Sequence, residues 1–397
     1  MKTDFVKTAI IGGGASGLFC ALLLKNSVVV LEKGPRAGRK LSATGNGQGN
    51  LSNTVMNADC YFPEKNRGFV RRALERFGSV QTLARFEKEG IIFVADEKGR
   101  VYPAGRQASA ITDLLRYGLR PPQKTTVTGC EAVTLSQKDG LFETHCVVAG
   151  EKRIFRSENV VVCTGGKAAP NFGSDGSGYK FAKAFGHTVT PLFPSLVQLK
   201  TDTTYTKTLK GKRAFCKARA TAGNKILAEV EGDVIFTDYG ISGDAVFRLS
   251  AFAAGREEKV GITLDFLPMS DAERLKKALD AKKSGGIVPP GELFLGILDN
   301  QMGRAVMKRA AETGEDCVFL AKNFTLDVTG TLNFDYAQVT KGGIPADELT
   351  DGMESRKQKG LFFAGEIIDV DGMCGGYNLQ WAFTSAAIAA ESINNSR

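Results

Sequence analysis

The sequence has no run of about 18 consecutive apolar residues, so neither a transmembrane helix nor a membrane partner is expected. It has no secretory opening either. The apolar part of MKTDFVKTAIIGGG runs straight into glycines, which points to a cytoplasmic protein. Histidine is scarce, with only His145 and His187, and none of the eight cysteines (20, 60, 130, 146, 163, 216, 317 and 374) belongs to a C-x-x-C pair. A metal site is therefore not expected. Scattered cysteines in a cytoplasmic chain read as small buried hydrophobes. Acid is missing from one long stretch. Between Lys200 and Lys225, Asp202 faces Lys200, Lys207, Lys210, Lys212, Arg213, Lys217, Arg219 and Lys225. A second basic cluster is Lys65, Arg67, Arg71, Arg72 and Arg76. Such runs are solvated faces or contacts to a polyanion, so RNA through 200–225 is one reading of the partner.

What is present is ordinary for a globular protein: 397 residues, 43% hydrophobic and 24% charged, with a net charge of +9. That length suits two or three domains. Phe5 to Ile11 is a short apolar run that predicts a buried strand. GGGASG follows, then LFCALLL as a helix and SVVVLEK as a β-branched strand. This is a βαβ unit. Periodicity predicts a helix over 66–89, a hairpin over 90–102 and a helix over 108–119. Alternation predicts antiparallel strands at 125–135, 141–148 and 153–156, and VVVC at 160–163 reads as a separate buried strand. Residues 195–264 read as short strands and 270–322 as mostly helical, opened by the capping pattern Ser270-Asp271-Ala272-Glu273. Strands return at 324–340. A buried strand, a Gly-rich loop and a small-residue helix close the chain.

The first turn carries the chemistry. Gly12-x-Gly14-x-x-Gly17 follows a strand and opens a helix. Gly12 permits the tight turn, Gly14 lets backbone approach a pyrophosphate, and Gly17 lets helix pack on strand. The amides around Ala15 and Ser16 and the helix dipole then face phosphate. Glu32, followed by Lys33, ends the next strand, where a carboxylate accepts ribose hydroxyls. The pattern alone fits NAD or FAD. Other stretches favour FAD. Thr164-Gly165-Gly166 ends a second buried strand, as where a flavoprotein chain returns to the nucleotide. Gly365-Glu366 ends a third, placed to meet ribityl and pyrophosphate. Cys374-Gly375-Gly376-Tyr377-Asn378, with Gln380, opens a second helix whose amides suit the N1 and O2 edge of reduced flavin. A pure NAD dehydrogenase has no use for that second helix start.

IIGGGASGL, GRKLSATGNG, GSDGSGYKFAKAFGHTVTPLFPSLVQL, FTDYGISG, VTKGGI and GLFFAGEIIDVDG with GGYNLQWA span nearly the whole chain. Together they resemble FAD-dependent oxidoreductases of the BaiN or aminoacetone-oxidase type. The resemblance implies an α/β fold. A Rossmann-like, three-layer β-β-α FAD-binding domain is built from both chain ends (1–192 and 341–397). A β-rich, barrel-like domain (193–266 and 324–340) and a small helical domain (267–323) complete it. It also implies that Arg39 and Lys40 lead into a cofactor loop, with Leu41, Thr44, Gly45, Asn46, Gly47 and Asn50 beside the flavin and Asn50 and Asn53 fixing turns. Relatives commonly carry Arg-Cys where this chain has Gln48-Gly49, and Thr-His-x-Gly-x-Ser-Gly-Pro where it has Asp238 for the His and Asp244 for the Pro. No role of that Cys or His carries over.

The implied activities share flavin chemistry. The first is NAD(P)H-driven reduction of a conjugated C=C in a small molecule. The second is oxygen-dependent oxidation of a small amine such as aminoacetone. The third is reduction of uracil in ribosomal RNA. No second G-x-G-x-x-G lies in a βαβ unit, so NAD(P)H would act as a transient donor. No C-x-x-x-x-C occupies the Gly-rich loop, which argues against the disulfide reductases. Reducing a C=C needs an acid, and Cys374 and Tyr239 are the candidates. The oligomeric state is left open.

Overall fold

The computed structural model describes residues 2–396, which divide into two compact units. One joins the two chain ends, up to Phe193 and from Val339; the other is Pro194–Gln338.

The first unit is built on a seven-stranded sheet. Lys2–Ile11 lies between Val28–Leu31 and Glu151–Val162, parallel to both, and Lys124–Val127 adds a further parallel strand beside Val28–Leu31. The β-branched run VVVL is buried on both faces, the pattern of a covered parallel sheet. Each such fully buried Val or Leu contributes about 1.5–3 kcal/mol. Helices Ala15–Leu23 and Tyr377–Asn395 both bury small and aromatic residues in the same core.

Glu151–Val162 is a single strand where two were expected. On one side it runs along Lys2–Ile11 for its length. On the other it changes partner: Glu151–Ser157 pairs antiparallel with 142–148, and Val160–Val162 pairs parallel with Leu361–Phe363. The polar residues Ser157, Glu158 and Asn159 sit at that change and read from sequence as a break. The helix expected over 66–89 is likewise two, Arg67–Arg76 and Ser79–Glu87. They part at Gly78, where a Cβ would lie 2.7 Å from the Leu74 carbonyl oxygen.

The second unit holds a closed six-stranded barrel. Its order is Leu199–Thr201, Gly240–Ser242, Lys225–Phe236, Arg213–Ala222, Val260–Asp265 and Phe324–Thr331, each antiparallel to its neighbours. Helices Ala272–Gly285, Asn300–Thr313 and Cys317–Lys322 contribute to the same core as the strands. Asp271 caps the first of these by accepting from the Arg274 amide at 2.7 Å. A helix at Asp244–Ala253 interrupts the stretch expected to be strands alone. Among the described residues, no helix is long and apolar enough to cross a membrane.

Candidate functional site

The opening turn packs so tightly that its glycines have distinct duties. Gly12 has φ +103°, and a Cβ there would meet the Cys163 carbonyl oxygen at 2.5 Å. A Cβ on Gly17 would lie 1.9 Å from the Gly12 carbonyl oxygen. Gly14 differs: nothing stands within 4 Å of its Cβ position. It is also the N-cap of Ala15–Leu23 and gives that helix no side-chain cap. An open space before an uncapped helix start is a cradle for an anion. Glu32 is held at the rim, accepting from the Gly13 amide at 2.8 Å and the Gly34 amide at 2.6 Å. Next to it, Lys33 pairs with Asp175 at 2.5 Å. Burial pushes the Asp175 carboxyl up, but bonds from Lys33 and Ser177 outweigh it and hold it near about 2.

Thr164, Gly165 and Gly166 leave the sheet beside this turn. The Thr164 hydroxyl is buried with no hydrogen-bond partner among the described residues. A Cβ on Gly165 would meet Ser174 Oγ at 2.7 Å, and one on Gly166 would meet Thr340 Oγ1 at 2.4 Å. Gly365 is as close to Ser16, whose Oγ lies 2.7 Å from its Cβ position. The Gly365 amide donates to Ser385 Oγ at 2.8 Å. Glu366 accepts from Lys40 Nζ at 2.8 Å and from the Thr340 amide at 2.7 Å. Lys40 also donates to the Ala168 carbonyl, and Arg39 donates to that of Asn171. These cations therefore hold protein walls.

The loop expected at Leu41–Asn53 begins as the end of a short helix, Arg39–Ala43, with Leu41 buried. Gly45, Asn46, Gly47 and Gly49 then all have positive φ, between +54° and +83°. Thr44 closes the turn by donating to the Leu41 carbonyl at 2.7 Å. The far end is tied to the C-terminal helix. In the orientation its neighbours dictate, the Asn50 amide nitrogen donates to the Ser52 carbonyl and its oxygen accepts from the Gly376 amide at 3.2 Å. Asn53 donates to the Gly375 carbonyl at 3.0 Å. Ser52 donates to Gln380 Oε1 at 2.7 Å, and Gln380 Nε2 donates to Thr82 and Thr384. Gln380 is wholly buried and its amide is used up, so it pins the loop rather than facing a ligand. Asn378 clamps its own turn, accepting from the Gly372 amide and donating to the Gly372 carbonyl, each at 2.8 Å. The Tyr377 carbonyl accepts from the Tyr61 hydroxyl at 3.0 Å. Helix Tyr377–Asn395 thus starts at Gly376 with φ +99° and, like the first, without a side-chain cap.

Every expected cofactor residue lies in the first unit, as does Cys374, half-buried in the turn before the second helix start. Tyr239 lies in the second unit, in the turn between the barrel strands Lys225–Phe236 and Gly240–Ser242. Sequence reasoning missed Asp369 and Asp371. Both are buried, and among the described residues no other residue donates to either carboxylate oxygen of Asp371. The signal was present, as two acids inside the apolar run IIDVDGM. The basic run 200–225 is less basic in space than in sequence. Lys210, Lys212, Arg213 and Lys217 pair with Asp238, Asp299, Asp233 and Glu229 at 2.5–2.9 Å. In the other cluster, Arg67, Arg72 and Arg76 pair with Asp59, Asp351 and Glu391.

The arrangement fits FAD: an open cradle at an uncapped helix start, a rim carboxylate, an unpartnered Thr164 hydroxyl and a second uncapped helix start. Comparison with known proteins agrees. The HI0933-like protein Rossmann domain matches residues 6–392. The chain is 36% identical to the 3-dehydro-bile acid delta(4,6)-reductase of Clostridium scindens, covering 97% of this chain and 98% of the relative. It is 28% identical to the ribosomal RNA dihydrouridine synthase of Haemophilus influenzae, covering 99% of each. The 3-ketosteroid-delta4-(5alpha)-dehydrogenase of Rhodococcus jostii RHA1 shares the fold, with a TM-score of 0.52 at 14% identity over 99% of this chain and 97% of that one.

Proposed function

Because this chain belongs to the HI0933-like Rossmann family and is a flavin-dependent oxidoreductase, we propose that it reduces a conjugated C=C with electrons from NAD(P)H. The observation that carries the reading is that the open cradle at the start of Ala15–Leu23 is accompanied, in the same unit, by a helix start at Tyr377–Asn395 that has no side-chain cap and is tied to the Gly-rich loop by Asn50 and Asn53. A nicotinamide enzyme uses one such start, for its pyrophosphate. A flavin enzyme uses a second, for the electron-rich edge of the reduced ring. The relative that is 36% identical acts, by its name, on a bile-acid double bond.

When bound, FAD supplies hydride transfer at N5. In this reading Gly12 to Gly17 and the amides of Ala15 and Ser16 hold the pyrophosphate, and Glu32 takes the ribose. Thr164 to Gly166 and Gly365-Glu366 line the ribityl side. The Tyr377 amide and the positive end of its helix offer charge to the ring edge, while the Gly376 amide is held by Asn50. Arg39, Lys40 and Gln380 keep these walls in place. The three-part division of the chain belongs to the same proposal, with 1–192 and 341–397 as the FAD domain. The substrate also needs a proton, for which Cys374 and Tyr239 are the sequence candidates.

An anaerobic titration of the yellow protein tests this. NADPH or NADH should bleach the flavin band, and a conjugated enone should restore it. If neither nicotinamide bleaches the band but aminoacetone does, an amine oxidase replaces the reductase. A second reading has support from the 28% relative: the same chemistry applied to uracil, whose C5=C6 bond is also conjugated to a carbonyl. Reoxidation by uracil-containing ribosomal RNA, but not by small enones, would favour it. Its RNA affinity should fall with salt less steeply than the eight basic residues of 200–225 suggest, because five of them are already paired.

A further inference from the structure

The loop from the strand Leu361–Phe363 to the C-terminal helix carries three acids in six residues: Glu366, Asp369 and Asp371. Two have partners. Glu366 is bonded to Lys40 and the Thr340 amide. The Asp369 side chain lies beside Thr190 and faces Lys65, Lys341 and Asp347. Asp371 is 1% exposed, and among the described residues no other residue donates to either of its oxygens; only its own backbone amide is close enough to do so. Its backbone pairs with Phe62, which offers no charge, and the next residue is clamped by Asn378 at the second helix start. The charged groups facing it are Lys341, Asp369 and Glu366. A carboxylate enclosed in this way, with no donor from another residue, is pushed toward its neutral form.

We propose that Asp371 holds the proton that the substrate carbon takes during double-bond reduction. The inference rests on the reductase reading above. In the step, the substrate β carbon gains a hydride, its C=C π pair shifts to the α carbon, and that carbon takes the Asp371 proton directly or across one water. The O–H pair stays on the carboxylate, which solvent reprotonates. The two electrons come from the nicotinamide donor through the flavin. Enclosure serves this role, since a solvated aspartate would be ionised at neutral pH. Burial, and to a lesser degree Asp369 and Glu366, raises the Asp371 carboxyl to about 7 against the pull of Lys341 and of its own backbone amide.

The test compares wild-type holoenzyme with Asp371→Asn and Asp371→Glu. Asn should leave flavin reduction by NAD(P)H close to wild type and slow reoxidation by an enone by about a hundredfold or more; Glu should recover part of it. The wild-type reoxidation rate should fall as pH rises through about 7, and the Asn profile should be flat there. A protonated-carboxyl band in the infrared spectrum at pH 6 should vanish in the Asn variant, with or without cofactor. A wild type that is never bleached or reoxidised sinks the reductase reading. A working wild type matched by Asp371→Asn overturns this proposal alone, all the more if Cys374→Ser stops reoxidation. An Asn variant that folds but cannot hold FAD also overturns it, assigning Asp371 to cofactor binding instead.

Discussion

Gly14 and Gly17 stand three residues apart in one motif, and the structure separates their roles. Gly17→Ala drives a methyl to within 1.9 Å of a backbone oxygen. No rotamer relieves that, so it should cost about 3 kcal/mol or more, seen as a lower urea midpoint even without FAD. Gly14→Ala places its methyl in open space. The apoprotein should lose only about 1 kcal/mol, the cost of Ala at an N-cap. Its FAD affinity should fall at least tenfold by fluorescence titration, because the methyl occupies the anion cradle. If FAD binding survives Gly14→Ala, the cradle lies elsewhere. Both glycines were legible in the sequence because spacing sets their place on the turn. Asp371 was legible only as one of two acids in an apolar run, since the sequence carries no mark of who its neighbours will be.

At the scale of elements, the Gly-rich loop and the C-terminal helix act as one piece through Gln380. Gln380→Ala would leave Ser52, Thr82 and Thr384 hydroxyls in the core without that partner. It should cost about 2–4 kcal/mol in urea denaturation and loosen the loop toward proteolysis near Gly47. Equal stability would mean that the loop stands without this pin. A second tie fixes the segment after Ala346. Glu348 accepts from Thr188 and Lys357 and sits 2.7 Å from His187 Nδ1, while His187 Nε2 lies 2.6 Å from Ser355 Oγ. Burial pushes the Glu348 carboxyl up, but its bonds to Lys357, Thr188 and His187 outweigh that and bring it from 4.5 to about 2. A depressed carboxyl stabilises the fold above its unfolded value and loses that contribution as pH falls. Melting temperature should therefore drop between pH 4.5 and 2, by an amount equivalent to about 2 kcal/mol after solvent screening. Glu348→Gln should remove that limb of the profile. The sequence shows such acids and histidines one by one; their pairing over 161 positions is a product of folding.

Over the whole molecule, the chain leaves the first unit after Phe193 and re-enters it at Val339. Exit and re-entry are adjacent within that unit: the Thr190 amide donates to the Gly343 carbonyl at 2.9 Å, and Gly342 packs against the Pro191 carbonyl. Replacing 194–338 by a short Gly-Ser linker should therefore yield a folded protein that still turns yellow with FAD, measured by absorbance and thermal melting. Failure to fold would show that the first unit needs the second for stability, despite having its own core. Net charge belongs to this scale as well. Within the +9 excess, Lys210, Lys212, Arg213 and Lys217 are each paired with an acid from a strand, a turn or a helix start, and no linear count of lysines anticipates which acids the fold will bring beside them.

The sequence by itself determined the βαβ start, the Gly turn with its carboxylate, the return strand, the second helix start and the α/β class. These are local: periodicity sets the element, and glycine spacing sets the turn. Only the tertiary structure decided that Glu151–Val162 is one strand with two partners, that Lys40 serves Glu366, that Gln380 pins a loop from within the core, and that Asp371 stands alone. Each of these depends on which distant residues share a space, and that is settled by packing and by the cost of leaving a buried polar group unpaired.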